Sequence, residues 1–458
     1  MRLISIIIVL VGCGLMFYVK RSTKMAILLL GLMLFSLVKI PEIPFGDAPH
    51  LLAASFLLSE WRRWKGYLFQ ITANPVAFPL FLICISTAVC VYASPYVNNS
   101  THNIVGFIVM ELIFKYFIIL YAFWGFDEEN SIKPCLKWSF YGLLVLTFFG
   151  IINLIDKSAI YVNVLTEGRI NELYDKSMGD LFTEQDRFRV QSMFFNPFDY
   201  GYICLMLMIL HYHAFIHKME NRTVSIIAIM CCFIGIVICN CRTIHLCTIL
   251  VWGVYFLLSM KRGRRAKRIG FAVIIVGAIA FYSVPYLRDK VEQMITVFDE
   301  GYSDEGSSIE MRTMQYVAMW EEVQGHEWTG LGKGYFVNDM GWGGTREEHV
   351  NEDLKGLEGV ILSNMFERGY VGVFFWFIFY FLLFLYIRKN RFLSPSVYYL
   401  GISVLILYLL FANMTGELRS VYPTLLILGY VIKVLYVKRG DAIVQANQYF
   451  FNLWRGNH

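Results

Sequence analysis

Apolar runs of about 20 residues recur from one end of this 458-residue chain to the other, with charged residues gathered mainly in the stretches between them. A helix needs about 20 residues to cross a hydrocarbon core of ~30 Å. Such a pattern commits the chain to lie in a membrane as one helical assembly. Composition agrees, with 57% hydrophobic and 16% charged residues, where a soluble protein would carry about a quarter charged. The formal charge of +5 is small for the length and its basic residues cluster at run ends, so nucleic acid is not an expected partner. The first run could pass for a signal peptide. However, no small-residue cleavage site follows it, and Lys20, Arg21 and Lys24 come after the run, so a retained span is expected.

The fold class expected is an all-α polytopic membrane protein, a single integral domain over 1–458 with about thirteen transmembrane helices. These cover 3–19, 25–40, 43–59, 76–95, 104–124, 136–155, 193–215, 223–240, 243–259, 269–285, 359–387, 395–412 and 421–437. Short connections rich in Lys and Arg stay in the cytoplasm. The densest is Lys261, Arg262, Arg264, Arg265, Lys267 and Arg268. With it inside, alternation also puts inside Lys20/Arg21/Lys24, Arg62/Arg63/Lys65, Lys218/Arg222, Arg388/Lys389/Arg391 and Lys438/Arg439. One miscounted span would split that set. The opposite face receives two sizeable segments, 156–191 and a large acidic loop over 286–357, with a short helix expected around Met311–Trp320.

Three outward connections carry arginine against the usual charge bias. Arg189 opens RVQSMFFNPFDYG, Arg242 occupies the tight CNCRT turn, and Arg312 lies in the large loop ahead of GLGKGYF. The guanidinium fork suits phosphate oxygens, although a single outer arginine also serves to snorkel toward lipid headgroups. Three on one face favour a shared anionic ligand.

RVQSMFFNPFDYG resembles the Arg-x-x-Gly-x-Phe-x-Asn-Pro-Asn-Asp-x-Gly segment of the O-antigen polymerase and ligase superfamily. Arg189, Phe194, Asn196, Pro197, Asp199 and Gly201 match, while Ser192 and Phe198 depart from Gly and Asn. Cys241–Thr243 resembles the family's Ser-Arg-Thr turn with Cys in place of Ser. Arg312, Trp320, Gly330, Gly332 and Phe336 resemble its loop pattern, and Glu367, Gly369 and Gly372 resemble the segment leading into the following span.

The resemblance implies a metal-independent glycosyl-transferring enzyme without a cofactor, in the bacterial inner membrane with its site facing the periplasm. Its substrate would be an undecaprenyl-diphosphate-linked glycan, its surroundings membrane lipid, and a further partner a chain-length regulator protein. Arg189, Arg242 and Arg312, with Asn196 and Asp199, would hold the diphosphate end, and Arg242 would stabilise charge on the leaving oxygens. Ligases of this superfamily use a His as acceptor-activating base just before the span that follows the loop. Here Glu358 stands at that position and His349 lies nine residues earlier. Both are candidate bases, and the departure fits a polymerase of O-antigen or capsular repeat units better than a ligase. A flippase for the same lipid-linked units is the rival from another class, disfavoured by the absence of repeat symmetry and by the large outer loop.

The remaining polar features carry weaker signals. Seven cysteines lie inside apolar runs and none lies in the long loop, so they are expected to be packing residues. His211, His213 and His217 have helical spacing but no evident carboxylate partner, which suits an interfacial role better than a metal. Glu111 and Lys115, one turn apart in an apolar run, are expected to pair. Trp328, Tyr335, Phe336 and Trp342 could either stack on sugar rings or form a small core within the loop.

Overall fold

A computed structural model describes residues 2–40, 46–69, 71–93, 108–157, 161, 189–260, 308–332, 354, 359–416 and 420–456. The described chain is helical, with one isolated bridge between Lys39 and Asp47. The helices are α1 (Arg2–Leu15), α2 (Arg21–Leu34), α3 (Ala48–Ser59), α4 (Trp64–Phe69), α5 (Ala77–Ala93), α6 (Val109–Tyr116, wound as a π-helix), α7 (Ile118–Gly125) and α8 (Lys133–Asp156). They continue with α9 (Pro197–His217), α10 (Arg222–Ile238), α11 (Arg242–Met260), α12 (Ser308–Glu322), α13 (Val360–Lys389), α14 (Pro395–Thr415) and α15 (Val421–Gly456).

By length and composition, 5 described helical stretches can cross a membrane: Glu129–Asp156, Pro197–His217, Val360–Lys389, Pro395–Thr415 and Val421–Gln445. Shorter apolar helices, including Ala77–Ala93, Arg222–Ile238 and Arg242–Leu258, accompany them. The expected span at 104–124 is divided where π-winding ends, with the Phe117 amide donating to Leu112 O five residues back. The expected span at 43–59 yields only α3, preceded by the bridge of Lys39 to Asp47. The expected span at 269–285, the 261–268 basic cluster and most of 156–191 and 286–357 lie outside the described residues.

Local signals explain where these helices begin and end. Asn196 caps α9 by accepting from the Phe198 amide at 2.8 Å, with Pro197 in the first turn. Lys218, left-handed at φ 55°, stops that helix. Asn221 then caps α10 by accepting from the Thr223 amide at 2.9 Å. Helix α9 is apolar nearly all round and correspondingly buried on almost every side. It packs on α8, α10, α11 and α14. In contrast, α8 and α13 turn Phe148, Ile155, Phe374 and Phe377 outward.

The connections assigned to one side by their basic residues touch one another in space. Lys24 donates to Glu60 at 2.6 Å with both side chains buried. Arg21 pairs with Asp127 at 2.9 Å, and Lys438 reaches Glu129 and Ser394. Tyr67 stacks on Trp124 with ring centroids 4.5 Å apart. Thus the segments around 21–24, 60–67, 124–129, 394–396 and 438 form one basic end of the bundle. The ends of α8 and α14 and the starts of α9 and α13 meet at the other.

Candidate functional site

At that opposite end the chain approaches α9 through residues 189–196. Ser192 adopts a left-handed conformation, φ 53°, which accounts for glycine at this position in the resembled motif. Here the serine is held by its own polar atoms. Its hydroxyl donates to Leu146 O at 2.7 Å, and the Gln191 and Ser192 amides donate to Asn153 Oδ1 at 3.1 and 3.4 Å. The other departure, Phe198, has a role too, since the Arg189 guanidinium lies 6.0 Å from the centroid of its ring.

Gly201 brings this first motif against the Arg242 turn. A Cβ there would sit 2.8 Å from Cys239 Sγ and 2.8 Å from Ile244 Cγ1, so only glycine lets α9 approach so closely. Within the turn, the Cys241 thiol donates to Cys239 O at 3.2 Å, the kind of short-range bond a serine hydroxyl would make. Burial pushes the Cys241 thiol well up and Cys239 adds to this, while the positive charge of Arg189 acts the other way. Arg242 itself is exposed at the first position of α11.

The third and fourth motifs meet in a second crossing. Gly369 interrupts α13 with φ 60° and ψ −160°, leaving backbone carbonyls before it and amides after it without helical partners. Residues 327–332 pair with four of these groups. The Leu331 and Gly332 amides donate to Phe366 O and Glu367 O at 2.9 and 3.1 Å, and the Tyr370 and Val371 amides donate to Glu327 O and Trp328 O at 2.8 and 3.1 Å. Non-helical backbone at membrane depth requires such pairing. Gly330 and Gly369 are the contact points, because a Cβ on either would lie 2.4 Å from a backbone atom of the other strand. Ala318 and Met319 of α12, with Val323 just beyond its end, pack with Leu331, Leu362, Met365 and Phe366, so the helix carrying Arg312 is anchored to this crossing.

Tyr202 links the two crossings. Its hydroxyl bonds Thr424 of α15 and its ring lies 4.5 Å from Phe411 of α14. The C-terminal end of α14 in turn meets the start of α13, where a Cβ on Gly359 would stand 3.0 Å from Asn413 O. The motifs that carry Arg189, Arg242 and the 327–332 segment are thereby brought to one end of the bundle.

Not every candidate is equally placed. Asn196 spends its side-chain oxygen on the cap of α9, which gives it an architectural role. Asp199 is buried in the first turn of that helix. Glu358 and His349 lie outside the described residues. Trp328 is 71% exposed and meets Tyr370 edge-on at 5.7 Å; Tyr335, Phe336 and Trp342 are outside the described residues.

A residue that sequence reasoning passed over is Arg368. It is buried and donates to Glu111 at 2.6 Å, and the same carboxylate oxygen accepts from Lys115 at 2.8 Å. The expected Glu111–Lys115 pair is thus part of a larger group. A charged residue inside the apolar run at 359–387 was the available signal.

The histidine expectation needs correction. His211 does have a carboxylate partner, Glu220, because the left-handed turn at Lys218 folds that residue back to 3.1 Å from Nδ1. Ser139 Oγ stands 3.0 Å from His211 Nε2, an order like that of a nucleophile, base and carboxylate relay. Yet Ser139 is 1% exposed and also bonds Leu136 O of its own helix. No reactant can reach it, and the trio ties α8 to α9 at the basic end.

Residues 227–377 match the family model Wzy_C, O-Antigen ligase. The match runs from α10 into α13 and includes Arg242, Arg312 and the Gly330–Gly369 crossing. Over that third of the chain the sequence is similar to the O-antigen polymerase/ligase superfamily, and with the apolar helices the match supports a membrane location. No curated protein matches the chain.

Proposed function

We propose that this protein is a polymerase that joins undecaprenyl-diphosphate-linked repeat units into an O-antigen or capsular polysaccharide on the periplasmic face of the bacterial inner membrane. The observation that carries this reading is the meeting of the resembled motifs at one end of the bundle, opposite the basic end. Gly201 seats the helix that follows Arg189 against the Arg242 turn, and the helix of Arg312 is anchored to the break in α13.

In this mechanism the acceptor hydroxyl attacks the anomeric carbon of the lipid-linked sugar, that bond forms as the anomeric C–O bond breaks, and the lipid diphosphate leaves with the electron pair. Arg189, Arg242 and Arg312 balance the charge that develops on the departing diphosphate oxygens, with Asp199 and the Asn196 cap shaping the approach. Because guanidinium groups supply the positive charge, no divalent metal is required. Glu358 takes the acceptor proton, with His349 as the competing base. The exposed ring of Trp328 is available to stack on a sugar.

The description of the matching family favours a second reading, a ligase that transfers finished glycan to another acceptor. Gene deletion followed by gel analysis of surface glycan separates the two. Loss of long chains with a single repeat retained is expected for a polymerase, whereas loss of every capped core would establish the ligase instead. A chain-length regulator is the expected protein partner of a polymerase.

A further inference from the structure

Arg368 is fixed from three directions at the point where α13 breaks. Its guanidinium reaches Glu111 on the π-wound α6 at 2.6 Å. Its carbonyl accepts from the Cys90 thiol of α5 at 3.4 Å. Its amide faces Gly330, whose added Cβ would lie 2.4 Å away. The side chain lies over Gly372, where a Cβ would meet Arg368 Cβ at 2.1 Å, so glycine one turn on leaves the room it occupies. One residue thus joins the α5–α6 face on one side of α13 to the 327–332 segment on the other.

Bringing a guanidinium and a carboxylate out of water is costly, and an apolar pair of similar volume is often as stable or more so. Stability alone therefore gives little reason for this arrangement. What an ion pair adds is direction, since the planar fork fixes the rotation of the short helix 360–368 about its axis. Rotation of that piece would carry Phe366 O and Glu367 O away from the Leu331 and Gly332 amides. The packing of α12, and with it the helix that bears Arg312, depends on the same crossing. π-Winding within helices often marks functional segments; here the π-wound α6 carries both Glu111 and Lys115.

We infer that the Arg368–Glu111 pair is a positioning device for glycosyl transfer. It locks the break in α13 so that the 327–332 segment and α12 stand in register with the Arg189/Arg242 face. This rests on the transferase reading above for its consequence, but its structural content can be tested without any reaction.

The test compares wild type with Arg368→Met, Arg368→Lys and the double variant Glu111→Gln/Arg368→Met, all as full-length protein. Arg368→Met leaves Glu111 paired with Lys115, while the double variant removes both charges of the Arg368–Glu111 pair and keeps an amide acceptor for Lys115. Amide exchange without substrate is followed by mass spectrometry across 327–332 and 366–371, and elongation of lipid-linked repeat units is assayed separately at matched protein. In Arg368→Met and the double variant, exchange at Leu331, Gly332, Tyr370 and Val371 is expected to rise about tenfold or more, with α9 and α14 unchanged. Elongation should lose about tenfold or more in kcat, with KM for the lipid-linked donor within about twofold, because donor contacts at Arg189 and Arg242 persist. Arg368→Lys should recover only part of both. If Arg368→Met or the double variant does not accumulate, Arg368→Lys, which keeps the charge but not the planar fork, carries the comparison. Wild-type exchange and turnover in the double variant would overturn the proposal, showing that the pair does no more than neutralise charge. Absence of elongation in the wild type would instead count against the transferase reading, while the exchange data would still decide the positioning role.

Discussion

Replacing Gly369 by alanine should separate the loop from the helix it crosses. With φ 60° and ψ −160°, the backbone lies where side chains other than hydrogen are strained by about 1–3 kcal/mol. The new Cβ would also stand 2.4 Å from Glu327 O and 2.5 Å from Trp328 C, and backbone cannot yield as a flexible side chain can. Opening the crossing forfeits the bonds at Leu331, Gly332, Tyr370 and Val371, each contributing about 1 kcal/mol net. The crossing opens once strain and overlap together exceed the ~4 kcal/mol that these four bonds hold, which is about a thousandfold in population. Gly325→Ala is the control. It has φ 84° but nothing within 4 Å of its added Cβ, so it bears conformational strain alone, about 1–2 kcal/mol. Both variants would be placed in a deletion strain at matched membrane levels and scored for long-chain glycan on gels, with amide exchange of 327–332 as the structural readout. Gly369→Ala should yield short chains and rapid exchange, and Gly325→Ala near-normal chains. Equal behaviour of the two would refute the role assigned to the crossing.

Three further outcomes are expected. Alanine at Arg189, Arg242 or Arg312 should each abolish elongation at near-normal protein level, lysine should rescue poorly for want of the planar fork, and a chelator should leave the purified enzyme active; full activity of Arg242→Ala would remove the best-placed member. Glu358→Gln should slow elongation about tenfold or more while His349→Ala has the smaller effect, and the reverse result would make His349 the base. Alkaline phosphatase fused after Gly325 should be active and after Arg265 inactive, and the opposite pattern would invert the membrane orientation.

Much of this protein is legible in its sequence because membrane helices are specified locally. Continuous apolar runs, Asn196-Pro197 and Asn221 at helix starts, and the basic connections determined the helical class and which connections share an end; the contacts of Lys24, Glu60, Arg21 and Lys438 follow from that sidedness. The short motifs indicated which segments the proposed site draws on, since glycine and arginine at fixed spacing reflect backbone and charge requirements that do not depend on distant residues. Their meeting could not be read in this way. That Gly201 seats α9 against the Arg242 turn, that Glu220 returns to His211, and that Gly330 crosses Gly369 are consequences of long-range packing. The same holds for Arg368. Sequence shows a charge in an apolar run, but its partner lies 257 positions away on a π-turn, and the low dielectric that makes the pair consequential exists only once α5, α6 and α13 have closed around it.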